Sequence, residues 1–202
     1  GKRILCGNVL VPTNWNQPTK GSISLAVAYR AADIAKPLGS VLFNPGGPGA
    51  SGYDWILNSV DYLGTKTLRS NFNIVGFDPR GVNLSAPIHC VNAKETDANY
   101  ASDSKPDTLA EYKQTIADTK VFIQKCFNKN ENLTSFSTAN AARDMDILRA
   151  ALGEKKLNYL GKSYGTYMGA LYATLFPNNI GRVILDGAVD PTISSVEQTK
   201  TQ

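Results

Sequence analysis

Leu157-Asn158-Tyr159-Leu160-Gly161-Lys162-Ser163-Tyr164-Gly165 decides the fold, read together with the run from Tyr167 to Phe176 behind it. Leu157 to Leu160 reads as a strand. Tyr167 to Phe176, stopped by Pro177, reads as a helix. Between them stands G-x-S-x-G on a strand-to-helix turn, the context that a nucleophile elbow requires. Such a turn strains the backbone at the serine, and glycines two residues to either side let neighbouring backbone pass close by. The Ser163 hydroxyl is thereby exposed, with a helix N-terminus behind it that favours negative charge. A plain strand-to-helix turn with an idle serine would carry the same letters, so the pentapeptide needs support from elsewhere in the chain.

That support lies upstream. Val41-Leu42-Phe43 is a short apolar strand that runs into Asn44-Pro45-Gly46-Gly47-Pro48-Gly49-Ala50-Ser51-Gly52. A glycine-rich loop after an early strand is where the second half of an oxyanion hole belongs. Acyl transfer needs two backbone N–H donors aimed at the oxygen that gains charge. One comes from the residue after the nucleophile, Tyr164; the other from Gly47, with Gly46 as the alternative. Glycine suits the task because backbone must approach the substrate with no Cβ in the way. The competing reading is a phosphate-binding loop, since Gly47 to Gly52 loosely echoes G-x-G-x-x-G. Two prolines and the lack of a Gly-Lys-Ser/Thr ending argue against it.

Three further stretches join these two: Gly76-Phe77-Asp78-Pro79-Arg80-Gly81, Ala142-Arg143-Asp144-Met145-Asp146 and Leu185-Asp186-Gly187-Ala188-Val189-Asp190-Pro191. In these five ordered motifs the chain resembles the N-terminal half of an α/β-hydrolase exopeptidase of the proline iminopeptidase and tripeptidyl aminopeptidase family. The resemblance runs from about Cys6 to Pro191. Asn44, where many relatives carry histidine, and Phe77 to Gly81 are most similar to the secreted actinobacterial tripeptidyl aminopeptidase branch. The resemblance implies an α/β-hydrolase fold, a mostly parallel sheet with helices on both faces. Residues 1–191 would be the N-terminal part of its core, and 192–202 the start of the connection to a cap domain. The last strands and the cap would lie outside this chain.

Composition fits a single domain with a real core: 202 residues, 42% apolar and 19% charged. A net charge of +4, on scattered lysines, gives little support for nucleic-acid binding. No apolar run is long enough to span a membrane, and no signal peptide opens the chain. Strands alternate with helices, as in a parallel α/β sheet. Ile4 to Val11, Ser22 to Tyr29, Val41 to Phe43 and Phe72 to Phe77 read as strands, with a helix near Tyr53 to Leu63. Ser85 to Ser104 reads as a polar, turn-rich excursion. Thr108-Leu109-Ala110-Glu111 is a capping box that opens a helix with Leu109, Tyr112, Ile116, Ile123 and Cys126 at helical spacing. Another helix runs from Ala139 to Leu152 and stops at Gly153. Arg182 to Asp186 reads as a last strand, buried on both faces.

Cys90 and Cys126 flank the excursion and its helix. The resemblance implies a disulfide between them, as in the secreted branch. It would close a loop of about 37 residues, worth roughly 3.5–4 kcal/mol in the chain-entropy model. A disulfide would point to an oxidising, secreted or cell-envelope location; two buried free thiols are the other reading. Cys6 is left odd. Asn83-Leu84-Ser85 and Asn132-Leu133-Thr134 are glycosylation sequons.

A serine nucleophile needs a general base and an acid to orient it. The one histidine, His89, precedes Ser163 and reads as a loop residue beside Cys90. After Ser163 the acids are Asp186, Asp190 and Glu197, and the first two belong to the strand-end motif. Lys162 adjoins the nucleophile at a sharp turn, so it should point away and reads as a solvated or cap-facing lysine. The resemblance therefore implies that a C-terminal segment or second chain supplies the catalytic Asp and His. It implies a serine exopeptidase releasing tripeptides or single residues from peptides with free N-termini, needing no cofactor or metal. An esterase or lipase, and a non-catalytic hydrolase-fold binding protein, are the alternatives.

Overall fold

The computed structural model describes residues 4–103, 105–193 and 196–197. Strands β1 (Ile4–Pro12) and β2 (Ser22–Arg30) form an antiparallel pair across the turn-rich stretch that separates them. There follow β3 (Ser40–Asn44), helix α1 (Gly52–Ser59), α2 (Lys66–Asn71) and β4 (Asn73–Phe77). Next come α3 (Ala93–Tyr100), α4 (Leu109–Lys129), α5 (Thr138–Ala151), β5 (Leu157–Lys162), α6 (Tyr164–Leu175) and β6 (Ile180–Asp186). The sheet runs β1-β2-β4-β3-β5-β6, and from β4 onward all its pairs are parallel. Ser163 follows β5, at a strand C-terminal end where α/β folds gather their sites.

Strand alternation divides the core between two faces. On β3, Val41 and Phe43 pack with Ile56 and Val60 on the α1 side. Leu42, between them, packs with Met145 and Leu148 of α5 and with Met168 and Tyr172 of α6. Both sets are buried, so the central strands read as continuous apolar runs and not as alternating ones. The fold class implied by the motifs is the one observed, with helices on both faces of a mostly parallel sheet.

Several elements differ from the sequence reading. Helix α6 starts at Tyr164, three residues early, because the turn at Ser163 leads straight into helical geometry. The excursion contains α3, opened by a capping box between Asn92 and Glu95 whose signal was masked by a polar composition; Ser104, at its far end, lies outside the described residues. Short α2, capped by Thr65, was also not foreseen. Helix α4 keeps its expected spacing, but Leu109, Tyr112, Ile116 and Ile123 are exposed and only Cys126 is buried. Strand β6 was read as buried on both faces, yet Val183, Ile184 and Leu185 are exposed. It pairs with β5 on one edge, and no strand among the described residues covers the other.

Candidate active site

Ser163 adopts φ 50° and ψ −123°, a positive φ that a non-glycine residue rarely holds. A serine at a helix N-cap ordinarily turns its oxygen onto the first-turn N–H groups. Here it makes no capping bond, and the hydroxyl is exposed without a partner among the described residues. The strained backbone is held from both ends. Ser163 N donates to the Asp186 carbonyl at 2.9 Å, while its own carbonyl accepts from Thr166 N and Thr166 Oγ1. Thr166 Oγ1 also accepts from Val189 N at 2.8 Å, which ties the chain after β6 to the elbow.

The loop after β3 closes on this elbow. A Cβ on Gly46 would lie 2.4 Å from the Lys162 carbonyl, 3.1 Å from Ser163 Cβ and 3.2 Å from Tyr164 N. On Gly165 it would lie 2.7 Å from the Asn44 carbonyl. Glycine at both positions is what allows two backbone segments to meet here. Asn44, 1% exposed at the end of β3, organises the loop: its Oδ1 accepts from Gly46 N at 2.8 Å. That bond occupies the Gly46 N–H and removes Gly46 as the alternative oxyanion donor. The Gly47 N–H makes no hydrogen bond among the described residues, and the Tyr164 N–H opens α6 with no acceptor behind it. Two backbone donors are thus left without an acceptor among the described residues, one on the residue after Gly46 and one on the residue after Ser163. Sequence reasoning quoted Asn44 as a departure from many relatives but gave it no task; only the fold brings its side chain back onto the loop.

The other candidates for proton transfer are placed elsewhere or already engaged. Lys162 Nζ pairs with Asp186 Oδ2 at 2.8 Å, and Asp190 Oδ1 accepts from Thr192 N and Oγ1. His89 is exposed beside the Cys90–Cys126 disulfide, its backbone bonded to the Asn130 side chain. The structure thus contains the bridge that the resemblance implied, and leaves Cys6 exposed and free. Among the described residues no cluster of His, Cys, Asp or Glu is arranged to hold a metal ion.

Two buried acids of the quoted motifs hold the surrounding loops. Asp144 takes Arg80 through both carboxylate oxygens, at 2.7 Å from Nε and 2.6 Å from Nη2, and Trp15 Nε1 at 3.0 Å. The remaining Arg80 donors reach the carbonyls of Pro12, Thr13 and Ser135. All five guanidinium N–H groups are used, joining β1, α5 and the loop after β4. Burial pushes the Asp144 carboxyl up, against the pull of Arg80 and Trp15. Asp78, fully buried, accepts from Ser51 Oγ, Tyr53 N, Asn83 Nδ2 and Leu84 N. Asn83 Nδ2 also reaches Ser51 and Asp54, and Ser85 is buried, so the first sequon serves as a loop clamp. Asn132 and Thr134 of the second are exposed.

A cleft of about 280 Å³ opens beside the elbow, bounded by Gly46, Pro48 and Gly49 on one side and by Tyr164 on another. The Tyr164 hydroxyl lies 2.6 Å from Thr138 Oγ1, linking the residue after the nucleophile to the first turn of α5. Burial pushes the Tyr164 phenol up.

The fold recurs among known proteins. The family model for the alpha/beta hydrolase fold matches residues 39–202. A tripeptidyl aminopeptidase of Streptomyces coelicolor is 41% identical over 196 residues, covering 95% of this chain and 36% of that protein. The serine protease Hip1 of Mycobacterium tuberculosis is 38% identical over 196 residues, with 96% and 37% covered. Carboxylesterase B of the same species is 36% identical over 203 residues, with 98% and 38% covered. An esterase from Thermogutta terrifontis superposes with a TM-score of 0.54 at 17% identity, over 96% of this chain and 50% of that one. The chain thus spans little more than a third of the length of the curated relatives it matches.

Proposed function

The chain belongs to the α/β-hydrolase fold family, and from that premise we propose that it is the N-terminal part of a serine exopeptidase. The carrying observation is the exposed Ser163 on a strained elbow, its hydroxyl and the N–H groups of Gly47 and Tyr164 all without a partner among the described residues, with Gly46 packed against the elbow. Ser163 Oγ attacks the scissile carbonyl and loses its proton to a histidine. The carbonyl oxygen becomes an oxyanion held by Gly47 and Tyr164. Collapse expels the amine, which takes the proton, and water then releases the acyl group from Ser163. One such donor is worth about 2.7–4 kcal/mol to the transition state.

In this reading residues 1–191 are the N-terminal part of the hydrolase core, and the acid and histidine come from a segment or second chain outside these residues. Lys162, Asp186 and Asp190 are engaged, and His89 stands beside the disulfide. The exposed Val183, Ile184 and Leu185, on a strand with one edge unpaired among the described residues, supply the seat for such a segment. Substrates are peptides with a free N-terminus, trimmed by three residues, as the name of the 41% identical relative suggests, or by one. The Cys90–Cys126 bridge supports a secreted or cell-envelope location. No described helix is long and apolar enough to cross a membrane.

A second reading, an esterase using the same serine, is favoured by the relative named carboxylesterase B. The complete protein and its Ser163→Ala variant are assayed on tripeptidyl anilides and simple esters: the variant tests the nucleophile, and the parent's profile separates the cases. Anilide turnover by the variant should vanish with unchanged far-UV circular dichroism. Activity retained above a few per cent refutes the assignment, since losing such a nucleophile costs about six orders of magnitude. Ester turnover with no anilide turnover in the parent favours the second reading.

A further inference from the structure

We propose that the cleft beside the elbow is the subsite for the substrate residue whose carbonyl is attacked, and that it selects an uncharged, apolar side chain there. This rests on the serine-exopeptidase reading. Position supplies the first argument. The cleft is built from the loop after β3, the loop after β4, the start of α5 and the first turns of α6, next to Ser163. Gly46, Pro48 and Tyr164, which flank or carry the two oxyanion donors, line the cleft, so a residue whose carbonyl oxygen is held by Gly47 and Tyr164 lays its side chain over it.

The lining supplies the second argument. Val82, Ile88, Phe136, Ala141 and Met168 wall the cleft, and among the described residues the only charged side chain on it is Arg80. Every Arg80 donor is already bound, two of them to Asp144. Thr138 and Tyr164 share one hydrogen bond at 2.6 Å, and neither group is charged. No free charge remains to receive a charged side chain, and burying one unpaired is costly. Size supplies the third. About 280 Å³ falls just short of the pockets that hold whole small ligands, and suits one side chain.

The far wall is braced. A Cβ on Gly81 would lie 2.9 Å from Ile88 Cδ1 and 3.0 Å from Phe136 Cδ1, so these side chains press on the loop after β4. Two residues beyond Ile88, Cys90 is bonded to Cys126 of α4. Ile88 is thus a specificity-determining residue held in place by the disulfide.

The test uses the complete protein and anilide substrates that differ only in the residue before the scissile bond. Leu, Phe and Met should exceed Asp and Lys in kcat/KM by about 100-fold. Ile88→Asp should move the Lys-to-Leu ratio toward Lys by at least about tenfold, through a new charge in the cleft. Ile88→Ala, a milder change should the first fail to fold, should raise the Phe-to-Leu ratio by roughly tenfold. Labelling of parent Ser163 by a fluorophosphonate is read alongside. With labelling intact, a flat or charge-preferring profile, or a folded variant that leaves the profile unmoved, overturns the subsite. Absence of labelling overturns the exopeptidase reading, and the subsite falls with it.

Discussion

Replacing Gly46 by alanine tests the loop geometry most sharply. The new Cβ would sit 2.4 Å from the Lys162 carbonyl, where real Cβ contacts stay beyond 3.0 Å. The obstacle is backbone at the strained elbow, so the loop must retreat by at least about 0.6 Å, the shortfall between those distances. Alanine at φ +96° adds about 1–3 kcal/mol of strain. The retreat displaces the adjoining Gly47 N–H from the oxyanion position. Losing one such donor lowers kcat about 100- to 1000-fold with little change in KM. Gly49→Ala is the matched control, since Gly49 has φ +101° and nothing within 4 Å of the added Cβ. It incurs the strain without the clash, and kcat should stay within about tenfold of the parent. Steady-state kinetics on one tripeptidyl anilide, with thermal melts of both variants, read the comparison. If Gly46→Ala keeps more than a tenth of parental kcat, or the two variants lose activity equally, close approach of the loop to the elbow is not what sets the oxyanion site.

Three more outcomes follow from the same contacts. Arg80→Met should destabilise the protein by about 3–5 kcal/mol in urea titration, because Asp144 is left buried without its cation; a loss under about 1 kcal/mol would mean that the clamp is slack. Asp146 sits below the ordinary carboxylate value of 3.8: burial raises it, but bonds from Arg149, Asn179 and Tyr172 together outweigh that. Its stabilising contribution is therefore complete above about pH 4 and lost as pH falls through the lowered value; the stability gap between parent and Asp146→Asn should be widest at pH 6 and shrink below pH 3, and a gap that widens on acidification contradicts the bonding seen. Reducing Cys90–Cys126 should remove roughly 3.5–4 kcal/mol of stability in the chain-entropy model, and should raise KM for apolar substrates more than it lowers kcat; an unchanged KM would detach Ile88 from the bridge.

What the sequence showed and concealed divides along physical lines. The elbow and glycine loop were legible because their chemistry demands glycine and serine at fixed offsets from a strand, and those offsets are local. The central strands were legible because burial on both faces makes them continuously apolar. Choosing between Gly46 and Gly47 was not legible. It depends on which N–H Asn44 captures, a contact made only when the loop folds back on its own strand. The Arg80–Asp144 clamp was visible as two motif fragments, but their pairing across 64 positions belongs to tertiary structure. The α4 stripe and β6 misled in the same way. Their apolar residues follow a core pattern, yet the described residues leave Ile116 and Ile184 exposed. Periodicity reports that a face seeks cover, and says nothing of where the cover comes from.

The central claim is that Ser163 is the nucleophile, and a covalent probe reads it directly. The complete protein is treated with a fluorophosphonate, digested and mapped by mass spectrometry, with and without a competing peptide that has a free N-terminus. The account predicts one adduct, on Ser163, slowed by the peptide and absent from Ser163→Ala. Peptide turnover with no adduct, or an adduct on another residue that tracks activity, would contradict it.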